Sequence, residues 1–473
     1  MSSQHSSMAA QSEPAAKARR PQPPAAAGSL LIRGAHVVTV NDGFATGRWD
    51  VRVEDGRITK IGERLSTRKI DRVVDAKGLV LVPGFVQAHV HVCQTLFRSQ
   101  ADEMALLDWL RERIWPLEGA MERADMQAAA RLGFSELLLG GTTALLDMGT
   151  VRHTDVLFEQ AERFGMRYSG GKALMDSGQG YPPGLRESTD WALSESIRLC
   201  ERWHGAAGGR LRYAFSPRFV LSCSETAMRR SVAEARARGA LLHTHAAENR
   251  EEVELVRQRT GRHNVEQLHH LGFTGPDVLL AHGIWLSTGE RRILRETGTR
   301  VVHCPSANLK LASGIARVPE MLDEGMALAL GADGAACNNT LDAFMEMRLA
   351  AMLHNVRGGP AALPARAALR LATRQSAEAL GLTDVGQIAP GYKADLVLLD
   401  LAKPHSWPDA GDLHSRIVFS GRASDVHSVF VDGIPRVEEG VLVDDDVGAI
   451  LRSAKAAARR VRQRAEVAGS ASA

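Results

Sequence analysis

The middle of the chain alternates short apolar runs with longer segments of helical periodicity. Eight apolar runs lie between about residue 81 and residue 334: LVPGFVQAHVH, GTTALLDMG, MRYSGGKALMD, GRLRYAFSPR, ALLHTHAAE, DVLLAHGIWL, RVVHCPSANL and ALALGADG. Amphipathic segments such as MQAAARLGFSELLLG and SVAEARARG separate them. Eight strands that alternate with helices predict an α/β protein with a TIM-like (β/α)8 barrel rather than an open sheet.

The two flanks of this region have a different pattern, in which short β-branched runs are separated by turn residues. We expect residues 29–83 and 389–445 to pair into a small composite β-sandwich domain, with the barrel over residues 84–388. Residues 1–28 are rich in Ala, Pro and Ser and lack the apolar core of a signal peptide, which predicts a disordered tail. Residues 446–473 predict a basic helix or tail with a solvated charged face.

The composition excludes several classes of protein. A hydrophobic content of 44% and a charged content of 24% are those of a soluble globular protein. The net charge is only +3, and much of the positive excess lies in the tails, so neither a nucleic-acid partner nor a membrane span is expected. The five cysteines form no CxxC pair, which indicates reduced thiols and a cytoplasmic protein.

Several of the predicted strands end in residues that can bind a metal or transfer a proton. These residues, in chain order, are His89 and His91, His245 and Glu248, His282, and Asp333. Side chains two apart on a strand point to the same side, and barrel enzymes build their sites at the carboxyl ends of the strands. We therefore expect all six side chains to meet at one functional site.

Single residues of this kind have simpler explanations. His243 and His303 are better explained as hydrogen-bonded core histidines, with His243 one layer deeper than His245. Asp333 alone could cap a turn or a helix. The joint alignment of imidazoles and carboxylates with successive strand ends favours a functional constellation over these separate readings.

The donor types favour a transition metal. Three neutral imidazoles and a carboxylate suit Zn²⁺ or Fe²⁺, and such an ion lowers the pKa of bound water to about 7. A second ion would need a bridging ligand, typically a carboxylated lysine at the end of strand 4. That strand reads RLRYAFSPRF and offers no lysine, while Lys172 lies on strand 3. We expect one divalent cation, with zinc favoured and iron as the alternative.

Five motifs carry a resemblance to a known family: PGFVQAHVH, HAAENREEV, LAHGIWL, HCPSANLKLASGIARVPEML and LGADGAACNNTLDAFMEMRLAA. From about Ser29 to Val443, the chain resembles the amidohydrolase superfamily, in its branch of single-metal purine and triazine aminohydrolases. The resemblance implies the barrel with its composite β-sandwich and frequent self-association into homo-oligomers. It also implies metal ligation by His89, His91, His245 and Asp333.

The same resemblance implies roles in proton transfer. Glu248 would be the proton shuttle to a ring nitrogen, and His282 would hydrogen-bond the attacking water and the tetrahedral oxygen. Asp333 would accept a proton from the water and help to deliver it to the departing amine. These roles are chemically consistent with hydrolytic deamination of a heteroaromatic amine.

The expected substrate contacts point in two directions. CQTLFRSQADEMALLDWLRERIWPLE is similar to deaminases of 5'-deoxyadenosine, methylthioadenosine and S-adenosylhomocysteine, in which the residue matching Glu118 binds the ribose hydroxyls. Trp109 either lines the pocket or belongs to the helix core. Arg218 and Gln94 instead resemble guanine deaminase, and Asn308 of the strand-7 motif completes the expected set.

The leading hypothesis is hydrolytic deamination of a 5'-modified adenosine. The first alternative is an aminohydrolase or chlorohydrolase of guanine, another purine or an s-triazine. An alternative of a different class is an inactive metal-binding homologue, which the intact ligand and shuttle set disfavours. A cytidine-deaminase-type zinc enzyme is disfavoured because that chemistry uses a P-C-x-x-C segment, and no CxxC occurs here.

Overall fold

The computed structural model describes residues 28–178 and 180–470, with side chains through residue 466. Most of the predicted N-terminal tail, residues 1–27, therefore lies outside the described residues. The strands are β1 (Leu30–Val38), β2 (Thr46–Glu54), β3 (Arg57–Gly62), β4 (Arg72–Asp75), β5 (Val80–Pro83), β6 (Phe85–His91), β7 (Thr142–Asp147), β8 (Arg167–Gly170), β9 (Ala173–Leu174), β10 (Leu211–Pro217), β11 (Leu241–Ala246), β12 (Val278–His282), β13 (Arg300–His303), β14 (Leu328–Leu330), β15 (Asp333–Gly334), β16 (Leu396–Leu399), β17 (Val426–Val431), β18 (Ile434–Glu438) and β19 (Val441–Leu442).

The helices surround the barrel or connect it to the second sheet. They are α1 (Leu106–Trp109), α2 (Trp115–Gly119), α3 (Arg123–Leu139), α4 (Thr154–Phe164), α5 (Thr189–Trp203), α6 (Ala206–Gly209), α7 (Glu225–Arg238), α8 (Arg250–Thr260), α9 (Asn264–His270), α10 (Thr288–Thr297), α11 (Pro305–Lys310), α12 (Val318–Asp323), α13 (Ala343–Leu353), α14 (Asn355–Gly358), α15 (Ala365–Arg370), α16 (Ser376–Ala379), α17 (Leu413–Ser415) and α18 (Val447–Ser470). Among the described residues, no helix is both long enough and apolar enough to cross a membrane.

The predicted barrel is confirmed. Strands β6 to β15 pair in parallel around a closed ring, in which β8 with β9 and β14 with β15 are the two halves of single broken strands. The ring closes where β15 pairs with β6, which sets Asp333 beside Val90. All eight predicted apolar runs contain these strands, so the alternation of apolar runs and helices was a sufficient signal for the fold.

The helices begin and end where local sequence signals place them. Ser188, Ser224, Asn249 and Ser287 each accept a backbone N–H at the start of a barrel helix. Helices α4, α7, α8 and α10 each end at a glycine with a left-handed backbone, as expected for this common termination. These signals fix the length of each helix and therefore the loops that carry the site.

The predicted composite β domain from both chain ends is also confirmed. Its strands form one nine-stranded sheet in which β5 from the first flank pairs with β16 from the second. This sheet has its own apolar core, which includes Ile32, Val51, Leu398 and Phe430. Gly84 separates β5 of this sheet from β6 of the barrel, so one apolar run of sequence serves both layers.

The C-terminal segment is the long helix α18, which lies against α3 and α2. Its buried stripe consists of Ile450, Ala454, Ala457 and Val461, spaced as on one helical face. The expected solvated charged face is only partly present, because two of its arginines form ion pairs with the buried Asp125.

Candidate active site

Four proposed metal ligands meet at the carboxyl ends of three barrel strands. His89 and His91 end β6, His245 lies on β11, and Asp333 begins β15. Asp333 Oδ1 lies 3.3 Å from His89 Nε2 and 3.5 Å from His91 Nε2, while the Nε2 atoms of His91 and His245 are 3.1 Å apart. The pattern of residues at the strand ends therefore predicted correctly that these four side chains lie close together.

The spacing of these donors fits a divalent cation. Ligand atoms about 2.0–2.1 Å from a shared tetrahedral ion lie about 3.3–3.5 Å from one another, which is close to the observed separations of 3.1, 3.3 and 3.5 Å. His89 Nε2 is buried and has no hydrogen-bond partner among the described residues. Burial lowers the pKa of His89, His91 and His245, which keeps the imidazoles in the neutral form that binds metals.

Hydrogen bonds beneath the site fix which nitrogen of His89 and of His245 is free. His243 Nδ1 donates to the carbonyl of Leu279 at 3.1 Å, so its Nε2 must accept from His89 Nδ1, 2.8 Å away. His89 therefore presents an unprotonated Nε2 to the site. His245 Nδ1 donates in the same way to the carbonyl of Arg218 at 2.7 Å. His243, expected as a core residue one layer deeper, lies there and also orients a ligand.

Glu248 and His282 stand beside the ligands. Glu248 Oε2 lies 3.5 Å from His282 Nε2, and Glu248 Oε1 is buried without a described partner. Burial, reinforced by the nearby charge of Asp333, raises the pKa of Glu248 well above its ordinary value. A raised pKa favours the protonated carboxyl group, which is the form suited to proton donation.

Glu252 holds Glu248 in place and was missed by the sequence analysis. Its Oε2 accepts the backbone N–H of Glu248 at 2.8 Å, and its Oε1 accepts from the Asn264 side chain. Asn249 and Glu252 form a capping box at the start of α8. That N-x-x-E pattern is visible in the sequence and could have identified the residue.

Asn308 lies against His282. Its Oδ1 lies 2.8 Å from His282 Nδ1, and because an amide oxygen only accepts, the imidazole donates. Asn308 is fully buried behind His282 and is not among the residues that line the cavity. Asn308 therefore orients His282, and its contact with a substrate stays a prediction.

A buried carboxyl group connects the loops after β13 and β15. Glu346 accepts hydrogen bonds from Ser306 and from Asn338 Nδ2, and the same amide donates to the carbonyl of Ala332 at 2.7 Å. Burial raises the pKa of Glu346 to about 8. Glu346 thereby couples the helix that carries Asn308 to the residue before Asp333.

The backbone is strained at the site. His282 has φ of 75° and Asp333 has φ of 63°, both in the left-handed region that side chains disfavour. Ala247, directly before Glu248, has φ of 53°. Strain of this kind persists at functional sites where surrounding hydrogen bonds hold it, and no signal in the sequence predicts it.

A cavity opens beside these groups. Its lining residues combine the site with an apolar wall: His91, Gln94, Leu106, Trp109, Leu110, Arg218, Phe219, His245, Glu248, Glu252, His282, Leu311 and Asp333. Trp109 is buried, lines the cavity and also packs in the apolar core, so its position agrees with both sequence interpretations.

Three expected substrate contacts form one network. Glu118 Oε2 accepts from Arg218 Nη1 at 2.6 Å, and Glu118 Oε1 accepts from Arg218 Nη2 at 3.2 Å and from Gln94 Nε2 at 3.0 Å. This leaves Gln94 Oε1 without a partner among the described residues. A Cβ at Gly334 would lie 2.2 Å from that oxygen, so glycine after Asp333 makes room for Gln94.

Comparison with known proteins identifies the family. The model of the amidohydrolase family matches residues 80–435. The chain belongs to the amidohydrolase family. A 5'-deoxyadenosine deaminase from Methanosarcina acetivorans is 38% identical over 92% of this chain and 99% of its own length.

Two further relatives extend this likeness within the family. A 5-methylthioadenosine/S-adenosylhomocysteine deaminase from Pelotomaculum thermopropionicum is 37% identical over 92% of this chain and 99% of its own. The crystal structure of an adenosine deaminase from Xanthomonas campestris with bound zinc superposes with a TM-score of 0.86 at 30% identity, covering 93% of this chain and 100% of its own. Together with the donor set described above, the zinc in that amidohydrolase relative supports a divalent metal here.

Proposed function

We propose that this amidohydrolase is a hydrolytic deaminase of a 5'-modified adenosine, with 5'-deoxyadenosine as the first candidate. The observation that carries the proposal is a complete set of metal donors and proton-transfer groups beside a closed cavity. Relatives that match over nearly their whole length are named for this chemistry. The intact set also argues against the alternative of an inactive metal-binding homologue.

The proposed cofactor is one divalent cation held by His89, His91, His245 and Asp333. Three imidazoles and one carboxylate favour zinc, with iron as the alternative. When bound, the cation acts as a Lewis acid that activates a water molecule for attack at neutral pH. The remaining chemistry belongs to the side chains of this chain.

Glu248 starts the proposed reaction by giving its proton to the ring nitrogen next to the carbon that carries the amino group. The water oxygen adds to that carbon, and Asp333 takes one of its protons and passes it to the amino group. The C–N bond then breaks, ammonia leaves, and the second water proton returns Glu248 to its acid form. His282, whose Nδ1–H donates to Asn308, offers Nε2 as an acceptor for the O–H of the attacking water and of the tetrahedral intermediate.

The nucleoside side of the cavity is assigned to Trp109, Gln94 and Arg218, which line it, and to Glu118, which binds the side chains of Gln94 and Arg218. A carboxylate has about four acceptor sites, and Glu118 already uses three of them on Arg218 and Gln94. One ribose hydroxyl can therefore bind Glu118 directly. A second vicinal hydroxyl must replace one of the existing contacts, which makes Gln94 the group we expect to move.

A second candidate substrate class is favoured by one observation. Gln94 Oε1 is a buried acceptor beside the donors of Arg218, and both residues line the cavity. A guanine-type base, which carries a ring N–H next to a carbonyl, would match this pair. Hydrolysis of an s-triazine would use the same catalytic groups.

The deciding experiment is a screen for ammonia release by the zinc-loaded protein. The panel contains 5'-deoxyadenosine, methylthioadenosine, S-adenosylhomocysteine, adenosine, guanine and two s-triazines, with Glu248→Gln as the matched inactive control. The proposal expects the highest kcat/KM for a 5'-modified adenosine. Faster turnover of guanine would select the second candidate, and no ammonia from any nucleoside would refute the first.

Two cellular properties belong to the same proposal. All five cysteines are buried and unpaired, which fits the reducing cytoplasm. We also propose a homo-oligomer without a nucleic-acid or membrane partner, which light scattering of the purified protein would test.

A further inference from the structure

Helix α18 reaches the segment that carries Glu118. This segment, the 106–119 helix, is continuous and consists of α1, the π-helical turn Leu110–Ile114 and α2. Its residues Leu106, Trp109 and Leu110 line the cavity, and Glu118 lies in its last turn. The position of this one helix therefore sets the apolar wall and the proposed ribose contact together.

Arg464 binds the carboxyl end of the 106–119 helix. Its Nε donates to the carbonyl of Ala120, the residue that ends α2, at 2.8 Å. The last carbonyls of a helix lack partners within the helix, and a cation there also interacts favourably with the helix dipole. Arg464 thus satisfies an otherwise open carbonyl two residues beyond Glu118.

The same arginine is tied to the start of the next helix. Asp125 lies in the first turn of α3, and its side chain is fully buried. Its carboxylate forms an ion pair with Arg460 Nη2 at 2.7 Å and a second ion pair with Arg464. Asp125 also accepts the backbone N–H of Glu122, which closes the turn between α2 and α3. Two adjacent turns of α18 therefore hold the junction that follows Glu118.

We propose that Arg464, supported by Arg460, is a positioning residue for substrate binding. Through Ala120 and Asp125, α18 keeps the 106–119 helix where Trp109 and Glu118 face the nucleoside. The inference rests on the proposed function in one respect, namely that Glu118 meets the sugar of the substrate. The metal ligands lie on barrel strands, so the positioning acts on KM rather than on kcat.

The test compares two double variants that each remove two guanidinium groups from α18. Arg460→Met with Arg464→Met breaks both contacts while keeping most of the aliphatic stems. Arg452→Met with Arg459→Met is the matched control on the exposed face of the same helix. We expect the first pair to raise KM for 5'-deoxyadenosine about tenfold with kcat within about twofold, and the control to match the wild type.

Arg464→Lys supplies the rescue, because an ammonium group keeps a cation and a donor near the Ala120 carbonyl. On a logarithmic scale, it should reverse at least half of the rise in KM that Arg464→Met contributes. A merely structural role would instead lower kcat and zinc content together and leave KM unchanged. An unchanged KM in the Arg460/Arg464 pair, or a fall in kcat at constant KM, would overturn the proposal.

Hydrogen exchange without substrate separates this inference from the proposed function. The amides of residues 106–125 should exchange faster in the Arg460/Arg464 pair than in the Arg452/Arg459 control, measured by mass spectrometry on the zinc-loaded proteins. Equal exchange rates would refute the positioning role even in an active enzyme. If the wild type deaminates no nucleoside, the proposed function fails, and the exchange arm still decides whether α18 positions the helix.

Discussion

His243 Nε2 lies 2.8 Å from Nδ1 of His89, and this contact fixes the nitrogen that His89 presents to the proposed metal site. His243→Leu removes the acceptor, so His89 can rotate or bind its proton on the other nitrogen. We expect about 10–100-fold weaker zinc binding, measured by competition with a chelator.

His303→Leu is the control for that measurement. His303 is also a buried strand histidine, but neither of its ring nitrogens has a partner among the described residues. Its replacement should leave zinc affinity within about twofold. Equal losses in both variants would show that packing, rather than the hydrogen bond, sets the affinity.

Glu248→Gln tests the proposed proton shuttle. The amide keeps the shape of the side chain but cannot give a proton to a ring nitrogen, so kcat should fall by about 10²–10⁴. Zinc content, measured by atomic emission, should stay at the wild-type value, since Glu248 is not a proposed ligand. Near-normal turnover would rule out the shuttle.

Glu118→Gln tests the sugar contact with little change in volume. KM should rise about tenfold or more for 5'-deoxyadenosine, because a neutral amide is a poorer acceptor for hydroxyls and leaves Arg218 without its charge partner. Adenine, which lacks the sugar, should lose less. Steady-state kinetics on both substrates make the comparison, and equal losses would contradict the nucleoside assignment.

The buried Glu346 makes stability depend on pH. Its pKa is raised to about 8 in the folded protein, above the ordinary value of 4.5, so the folded state holds a proton that the unfolded state has lost. Stability should therefore fall as pH rises from about 5 to about 8, by at most about 1.4 kcal/mol per pH unit from this group. Above pH 8 this contribution stops changing.

Glu346→Gln removes the titration and should flatten that slope. Thermal unfolding from pH 5 to pH 9 of the wild type and the variant measures the difference. Parallel curves for the two proteins would show that Glu346 is not the group responsible.

The sequence predicted the barrel and its six strand-end residues because both follow from short-range patterns. Apolar runs mark strands, and the parallel arrangement brings their carboxyl ends together, so His89 and Asp333 meet although they are far apart in the chain. The partners of these residues were harder to predict. That Asn308 faces His282, or that Arg218 faces Glu118, depends on loop geometry that no periodicity records.

The C-terminal helix α18 also has contacts that the sequence alone does not predict. Its apolar stripe was readable as one helical face, but Arg460 and Arg464 resemble the solvated arginines around them. Contacts with Asp125 and, for Arg464, with the carbonyl of Ala120 distinguish them, and both partners lie more than three hundred residues earlier in the chain.

The left-handed backbone at His282 and Asp333 has a consequence for how this enzyme can change. Glycine would adopt this backbone conformation with less strain at either position, but it has neither the imidazole of His282 nor the carboxylate of Asp333. Selection for heat resistance alone would thus favour replacements that destroy turnover. Any thermotolerant descendant of this protein has to gain its robustness elsewhere in the chain.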